Sequence, residues 1–235
     1  MLGQGRSPGP INRACGLHVV AEVCAWRGEL ERAAEAAREE LEICTNYGIR
    51  GAVGGSAENA IATLGWLLVL RGEFTQGLAE LRRAINEIAG RGQKLLLPLY
   101  LGRLAIGYLG TDDTSAAANA VVQAIQLADE TGERVWDAEL RRIAGAIALK
   151  QGRSDEAEGM VRSAIEIAQA QEAKSWELRA ATSLARMLVD QGRNKEAHAL
   201  LAPIYAWFTE GFDTADLKDA NALLDELSRQ VFPTL

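Results

Sequence analysis

Small, polar and apolar positions return along the chain in one fixed order. The stretches RGEFTQGLAELRRAI from Arg71, QGRSDEAEGMVRSAI from Gln151 and QGRNKEAHALLAPI from Gln191 share a skeleton. Each has a turn glycine, a polar opening and then apolar residues at helical spacing. With the turn glycine as origin, copies start at Gly28, Gly72, Gly152 and Gly192, and a further origin falls at Asp112. Aspartate is one of the few residues other than glycine that tolerates a left-handed backbone. The spacings are then 44, 40, 40 and 40, and a fixed period near 40 predicts a solenoid of helical hairpins.

The residue types agree with that register. Seven positions before each origin stand Ala21, Gly65, Ala105, Gly145 and Ala185, and five after it Ala33, Gly77, Ala117, Ala157 and Ala197. Two helices that cross closely have no room for a large side chain at the contact. Twelve after the origin Ala84, Ala124 and Ala164 continue the pattern, whereas Glu40 and Ile204 break it in the end copies. The first helix of each hairpin is predicted at 12–27, 56–71, 95–110, 134–151 and 174–191, with a second helix of about 15 residues after each turn. Residues 1–11, rich in Gly and Pro, read as a flexible lead-in, and 12–212 as the repeats. In 213–235, Leu217, Ala220, Leu224, Leu227 and Val231 recur at three and four, which predicts a capping helix that stops before Pro233.

The pattern resembles the tetratricopeptide repeat over nearly the whole chain, with a period of 40 in place of that family's 34. The longer form is similar to the repeats of large bacterial signalling regulators such as the maltose-regulon activator. The expected fold class is all-α: a right-handed superhelical solenoid of about five antiparallel hairpins plus a C-terminal capping helix. A narrower resemblance rests on AKSWELRAATSLARMLVDQGRNKEAHALLAPIYAWFTEGFDTADLKDANALLDEL and on GERVWDAELRRIAGAIAL. These look like the C-terminal tetratricopeptide tail of bacterial proteins that join a class III cyclase domain and a nucleotide-binding ATPase domain. There is no GxxxxGK[ST] and no helix-turn-helix signature, so that family's catalytic parts map onto no residue here.

Composition narrows the function. A formal net charge of -7 argues against general attraction to nucleic acid or to anionic membrane. No stretch reaches the apolar length of a membrane span and the opening MLGQGRSPGPIN has no signal-peptide core, so the expected location is cytoplasmic. Cys15, Cys24 and Cys44 form neither a CxxC pair nor a metal-ligand array, and read as small core residues. His18 and His198 are the only imidazoles and neither stands in a catalytic constellation. The expectation is a non-enzymatic protein with no cofactor and no metal.

The resemblance implies that the first helix of each hairpin lines a concave wall, with outward positions 13, 10, 6, 3 and 2 before each origin. Asn59, Trp66 and Ile106 then lie in an apolar half and Glu139, Arg142, Arg179 and Arg186 in a cationic one, with Arg103 one position off the wall. Such a wall suits a partner with an apolar part and a carboxylate or phosphate, which the planar fork of Arg holds with two parallel hydrogen bonds. In the competing reading the arginines pair with Glu139, Glu177 and Asp190 and only solubilise the helices. The expected partner is a protein or peptide, with a small-ligand sensor (sugar or nucleotide) as the alternative use of the same groove. Trp136 and Trp176 lie one period apart and are expected to pack between neighbouring repeats. The Gly-rich GIRGAVGG connection could let the first hairpin swap between chains, so a homodimer is among the expected states.

Overall fold

The computed structural model describes residues 9–51 and 54–231, with the side chain of Val231 outside that set. All regular structure among these residues is helical. The chain divides into two compact units, residues 1–112 and 113–235.

The first unit holds α1 (Pro10–Arg27), α2 (Leu30–Tyr47), α3 (Ala57–Leu70), α4 (Phe74–Gly90) and α5 (Leu97–Gly110). The second holds α6 (Thr114–Thr131), α7 (Asp137–Lys150), α8 (Ser154–Ala170), α9 (Lys174–Asp190), α10 (Asn194–Tyr205) and α11 (Ala215–Val231). A single 3-10 turn, Arg134–Trp136, leads into α7. Within the units α1 packs on α2, α3 on α4, α7 on α8 and α9 on α10 as the expected hairpins. The second helices of the first four hairpins run to 17 or 18 residues, longer than the sequence pattern predicts. The exception is α10, only 12 residues long, which ends just past Pro203; proline removes a helical hydrogen bond and crowds the preceding turn.

All five origins are left-handed: Gly28 at φ 82°, Gly72 at 80°, Asp112 at 59°, Gly152 at 77° and Gly192 at 75°. At the first of them the Gly28 amide donates to the Ala25 carbonyl and the Glu29 amide to the Cys24 carbonyl, 3.1 and 2.8 Å. That pairing is a Schellman motif, which satisfies the last carbonyls of α1 and reverses the chain into α2. A second series of left-handed residues closes the second helices, at Gly48, Gly92, Gly132 and Glu172. It lies twenty residues after each of the first four origins, so a 40-residue repeat is two equal halves, each ended by its own left-handed turn.

The small residues sit where helices touch. Ala21, Ala105 and Ala185 before the turn and Ala33, Ala117, Ala157 and Ala197 after it are fully buried. At Gly77 an added Cβ would stand 2.8 Å from the Gly65 carbonyl oxygen and 2.9 Å from the Val69 backbone nitrogen. The α3–α4 hairpin therefore closes backbone against backbone, and glycine at Gly77 is a steric requirement.

In the second unit α11 lays Leu217, Ala220, Leu223 and Leu227 into a core that includes Leu184, Leu188, Ala197 and Leu201. Its other face carries Lys218, Asp219, Asp225, Glu226 and Arg229, all exposed. In the lead-in, residues 1–8 lie outside the described set, and α1 begins at Pro10, whose fixed φ suits the first turn of a helix. No helix among the described residues is long and apolar enough to cross a membrane.

Candidate functional site

Charged side chains cluster in each unit, and the sequence-derived candidates fall into both clusters. In the first unit Arg103, on α5, is 2% exposed. Its Nη1 donates to Glu22 Oε1 at 2.9 Å and its Nη2 to Glu22 Oε2. Thr63, on α3, adds a hydroxyl donation to Glu22 Oε1 at 2.9 Å. The guanidinium lies 5.4 Å from the ring centroids of both Trp26 and Trp66 and 5.9 Å from that of Tyr100, a cation–π enclosure that replaces lost water. Burial pushes the Glu22 carboxyl up, but the Arg103 charge and its hydrogen bonds hold it below the ordinary range.

These positions differ from the open wall expected of them. Trp66 and Asn59 are each 5% exposed, and Ile106 is half-buried. The Asn59 backbone amide donates to the Ser56 hydroxyl, the N-cap of α3, at 3.2 Å. Arg103 lies against Trp66, so the indole faces the protein's own guanidinium. The physical reason is Glu22: a carboxylate at a packed helix face draws the nearest long cation inward.

Beside this cluster His18 Nδ1 stands 3.4 Å from Glu40 Oε2, with both side chains almost completely buried. For His18, burial opposes protonation but the Glu40 carboxylate outweighs it, and the imidazole titrates above its ordinary value. For Glu40, burial outweighs His18 and the carboxyl also titrates high. The two groups therefore titrate together rather than independently. Glu40 stands at the position held by Ala84, Ala124 and Ala164 in later copies, and this break in the pattern is the signal by which the pair could have been found. Cys44 is buried and its thiol is pushed up to about 11, which makes it an unreactive core residue. Cys24 is buried too, and Cys15 half-buried.

In the second unit the cluster centres on Glu139, 6% exposed. Arg142 Nε and Nη2 donate to its two oxygens at 2.8 Å each. Arg179 Nη1 adds a third bond at 3.3 Å, and Arg179 Nε donates to Asp216 at 2.8 Å. The Arg179 guanidinium lies 5.5 Å from the Trp176 centroid. Burial opposes ionisation of Glu139, yet Arg142 and Arg179 overcome it and bring the carboxyl down to about 2. Arg186, further along α9, pairs with Asp219, and both are about half exposed. Glu139, Arg142 and Arg179 thus come together, while Arg186 forms a separate pair. Asp216 and Asp219 on α11 complete the set in place of the expected Glu177 and Asp190. Glu177 is taken by Lys174 at 2.7 Å and Gln169 at 2.9 Å.

Trp136 and Trp176 meet edge to face, with ring centroids 6.1 Å apart, an arrangement aromatic quadrupoles favour. Among the described residues there is no group of three or more His, Cys, Asp or Glu side chains that could hold a metal.

No protein-family model matches the chain. No curated protein matches it. Solved structures do. A Rap protein complexed with competence and sporulation factor is similar with a TM-score of 0.66 at 15% identity, over 96% of this chain and 66% of the other. The apo form of RapI gives 0.65 at 14%, over 97% and 86%. A signal transduction ATPase with numerous domains from Pyrococcus horikoshii, which has a tetratricopeptide repeat sensor, gives 0.60 at 13%, over 90% and 32%. The fold is therefore all-α and tetratricopeptide-like.

Proposed function

We propose that the protein is a non-catalytic interaction scaffold that takes a protein or peptide segment on the first-helix faces of its hairpins, and that it serves as a cytoplasmic sensory or assembly module of a bacterial signalling protein. The observation that carries this reading is the ordered arginine row on α7 and α9. Arg142 and Arg179 are fixed by Glu139, and among the described residues Arg186 is held by an exposed pair with Asp219. An exposed ion pair is worth little, so an incoming carboxylate can replace Asp219 at small cost. Two fold neighbours support the same direction: one was solved with competence and sporulation factor, and another carries its repeats as the sensor of an ATPase. The resemblance of residues 173–227 to the tail of cyclase–ATPase proteins agrees with the second.

Arg186→Glu is the clean test, because Arg142 and Arg179 hold the charge of Glu139 and their reversal would unfold the unit. Affinity capture from bacterial lysate with wild type and Arg186→Glu, each checked by circular dichroism, should return a protein that the variant loses. Identical capture lists would sink the reading.

A further inference from the structure

We propose that the first unit holds a small-ligand site in the gap that α2 and α4 leave over α3. Its ligand is an aliphatic carboxylate, with the tail on an apolar floor and the head between Arg38 and Arg71. Both α2 and α4 pack on α3, and a hollow of about 310 Å³ remains between them, a volume within the range of small-molecule sites. Its floor is Ile61, Leu64, Leu67 and Leu68 of α3 with Ala34 and Leu41 of α2, all buried or half-buried. Its rim carries Arg38 on α2, Arg71 at the end of α3, and Glu80 and Arg83 on α4.

The rim departs from the repeat. Arg38 stands ten after one origin, and Arg71 and Arg83 stand one before and eleven after the next. One copy further on, these positions hold Arg82, Thr111 and Gln123, then Val122, Gln151 and Ser163, then Arg162, Gln191 and Pro203. Stacking of repeats therefore does not ask for three cations here. The two later arginines are engaged elsewhere: Arg82 Nε donates to the Leu78 carbonyl at 3.2 Å, and Arg162 pairs with Glu158 and Glu196. In the hollow Arg83 is held by Glu80, but Arg38 makes no hydrogen bond or ion pair to another described residue. Arg71 meets Glu31, which is 82% exposed, and such a surface pair is given up at little cost. Two guanidinium forks are thus available to one anion at the edge of an apolar surface.

The lining decides the class of ligand. No aromatic ring is among the lining residues, so a sugar or a base has nothing to stack on. A peptide laid on the aliphatic floor would desolvate its amides and carbonyls without partners. A hydrocarbon tail only gains by leaving water there. At the rim Glu80 repels a second negative charge, which favours a carboxylate over a phosphate.

The experiment is calorimetric titration of the full chain with octanoate, beside acetate, octanol and octyl phosphate, with circular dichroism to show that each variant is folded. The proposal expects octanoate to bind with a Kd below about 1 mM. Acetate, which lacks the tail, octanol, which lacks the charge, and octyl phosphate should all bind more weakly. Arg38→Glu and Arg71→Gln should each weaken octanoate at least fivefold, whereas Arg186→Glu should bind it as wild type does, which separates this site from the partner surface on α7 and α9. A Kd above 1 mM overturns the proposal, as does binding indifferent to both rim substitutions, or acetate, octanol or octyl phosphate bound as tightly as octanoate. Should Arg38→Glu fail to fold, Arg71→Gln decides alone, since two later copies carry glutamine at that position.

Discussion

In the first unit a guanidinium is enclosed: Arg103 lies among three aromatic rings with one carboxylate, Glu22, as its counter-charge. In the second a carboxylate is enclosed: Glu139 receives three hydrogen bonds from two arginines, and one of those arginines passes on to Asp216. The difference shows two ways to keep an ion inside a helical stack. A cation can replace water with π-faces as well as with a carboxylate. An anion needs donors, and two forks of Arg supply them.

The largest effect expected is from removing one member of either cluster. Arg103→Met and Arg142→Met should each cost about 3–5 kcal/mol in urea unfolding, since each leaves a carboxylate buried without its main partner. If Arg103→Met costs as much as Arg142→Met, the rings contribute little and the carboxylate alone holds Arg103. The double variant Glu22→Gln with Arg103→Met should cost less than Arg103→Met alone.

Acid and base separate the units next. Glu139 titrates in the folded state near 2 rather than 4.5, so its contribution of about 3 kcal/mol is complete above pH 4.5 and is lost as pH falls toward 2. Glu22 and Glu58, the latter a buried carboxylate of α3 paired with Arg50 and Arg91, act in the same sense in the first unit. His18 and Glu40 act in the opposite sense. With both folded values raised, their contribution is complete below the ordinary Glu40 value of 4.5 and declines as pH rises through their folded values, that of His18 lying above 6.5. Hydrogen exchange resolved by peptide between pH 5 and 9 should show the first unit loosening toward alkaline pH more than the second. His18→Leu with Glu40→Met should abolish that slope.

Smaller effects test the hairpin geometry. Gly77→Ala should destabilise the first unit by about 1–3 kcal/mol, through overpacking against the Gly65 carbonyl, with a lowered urea midpoint as the measure. Glu172→Gly should stabilise the second unit by about 1 kcal/mol, because Glu172 at φ 54° carries the strain of a left-handed backbone with a Cβ.

What was legible in the sequence was what the period repeats. Small residues at fixed distances from each turn gave the hairpins, and Asp112 was recognisable as a left-handed residue because a turn had to fall there. The second series of turns escaped notice because Glu172 breaks the glycine run of Gly48, Gly92 and Gly132. The charge clusters were partly visible. Glu139 and Arg179 stand one full period apart, so neighbouring repeats bring them together. Glu22 and Arg103 are separated by 81 positions, and pairwise contact over that distance depends on how three helices pack. Expected exposure failed for the same reason: register tells which face a residue occupies, while a buried partner such as Glu22 decides whether the side chain stays there.

The left-handed turns that end the helices from Gly28 to Gly192 keep a metre of twenty residues, and the surplus within that series falls between Gly48 and Ser56, where the first spacing runs to 44 rather than 40. One residue added within a helix would rotate everything beyond it by about 100° and carry alanines off their contacts. Residues added in that connection shift no helix out of phase. It is the place where this chain can change length, through natural insertion or a grafted label, and still keep time.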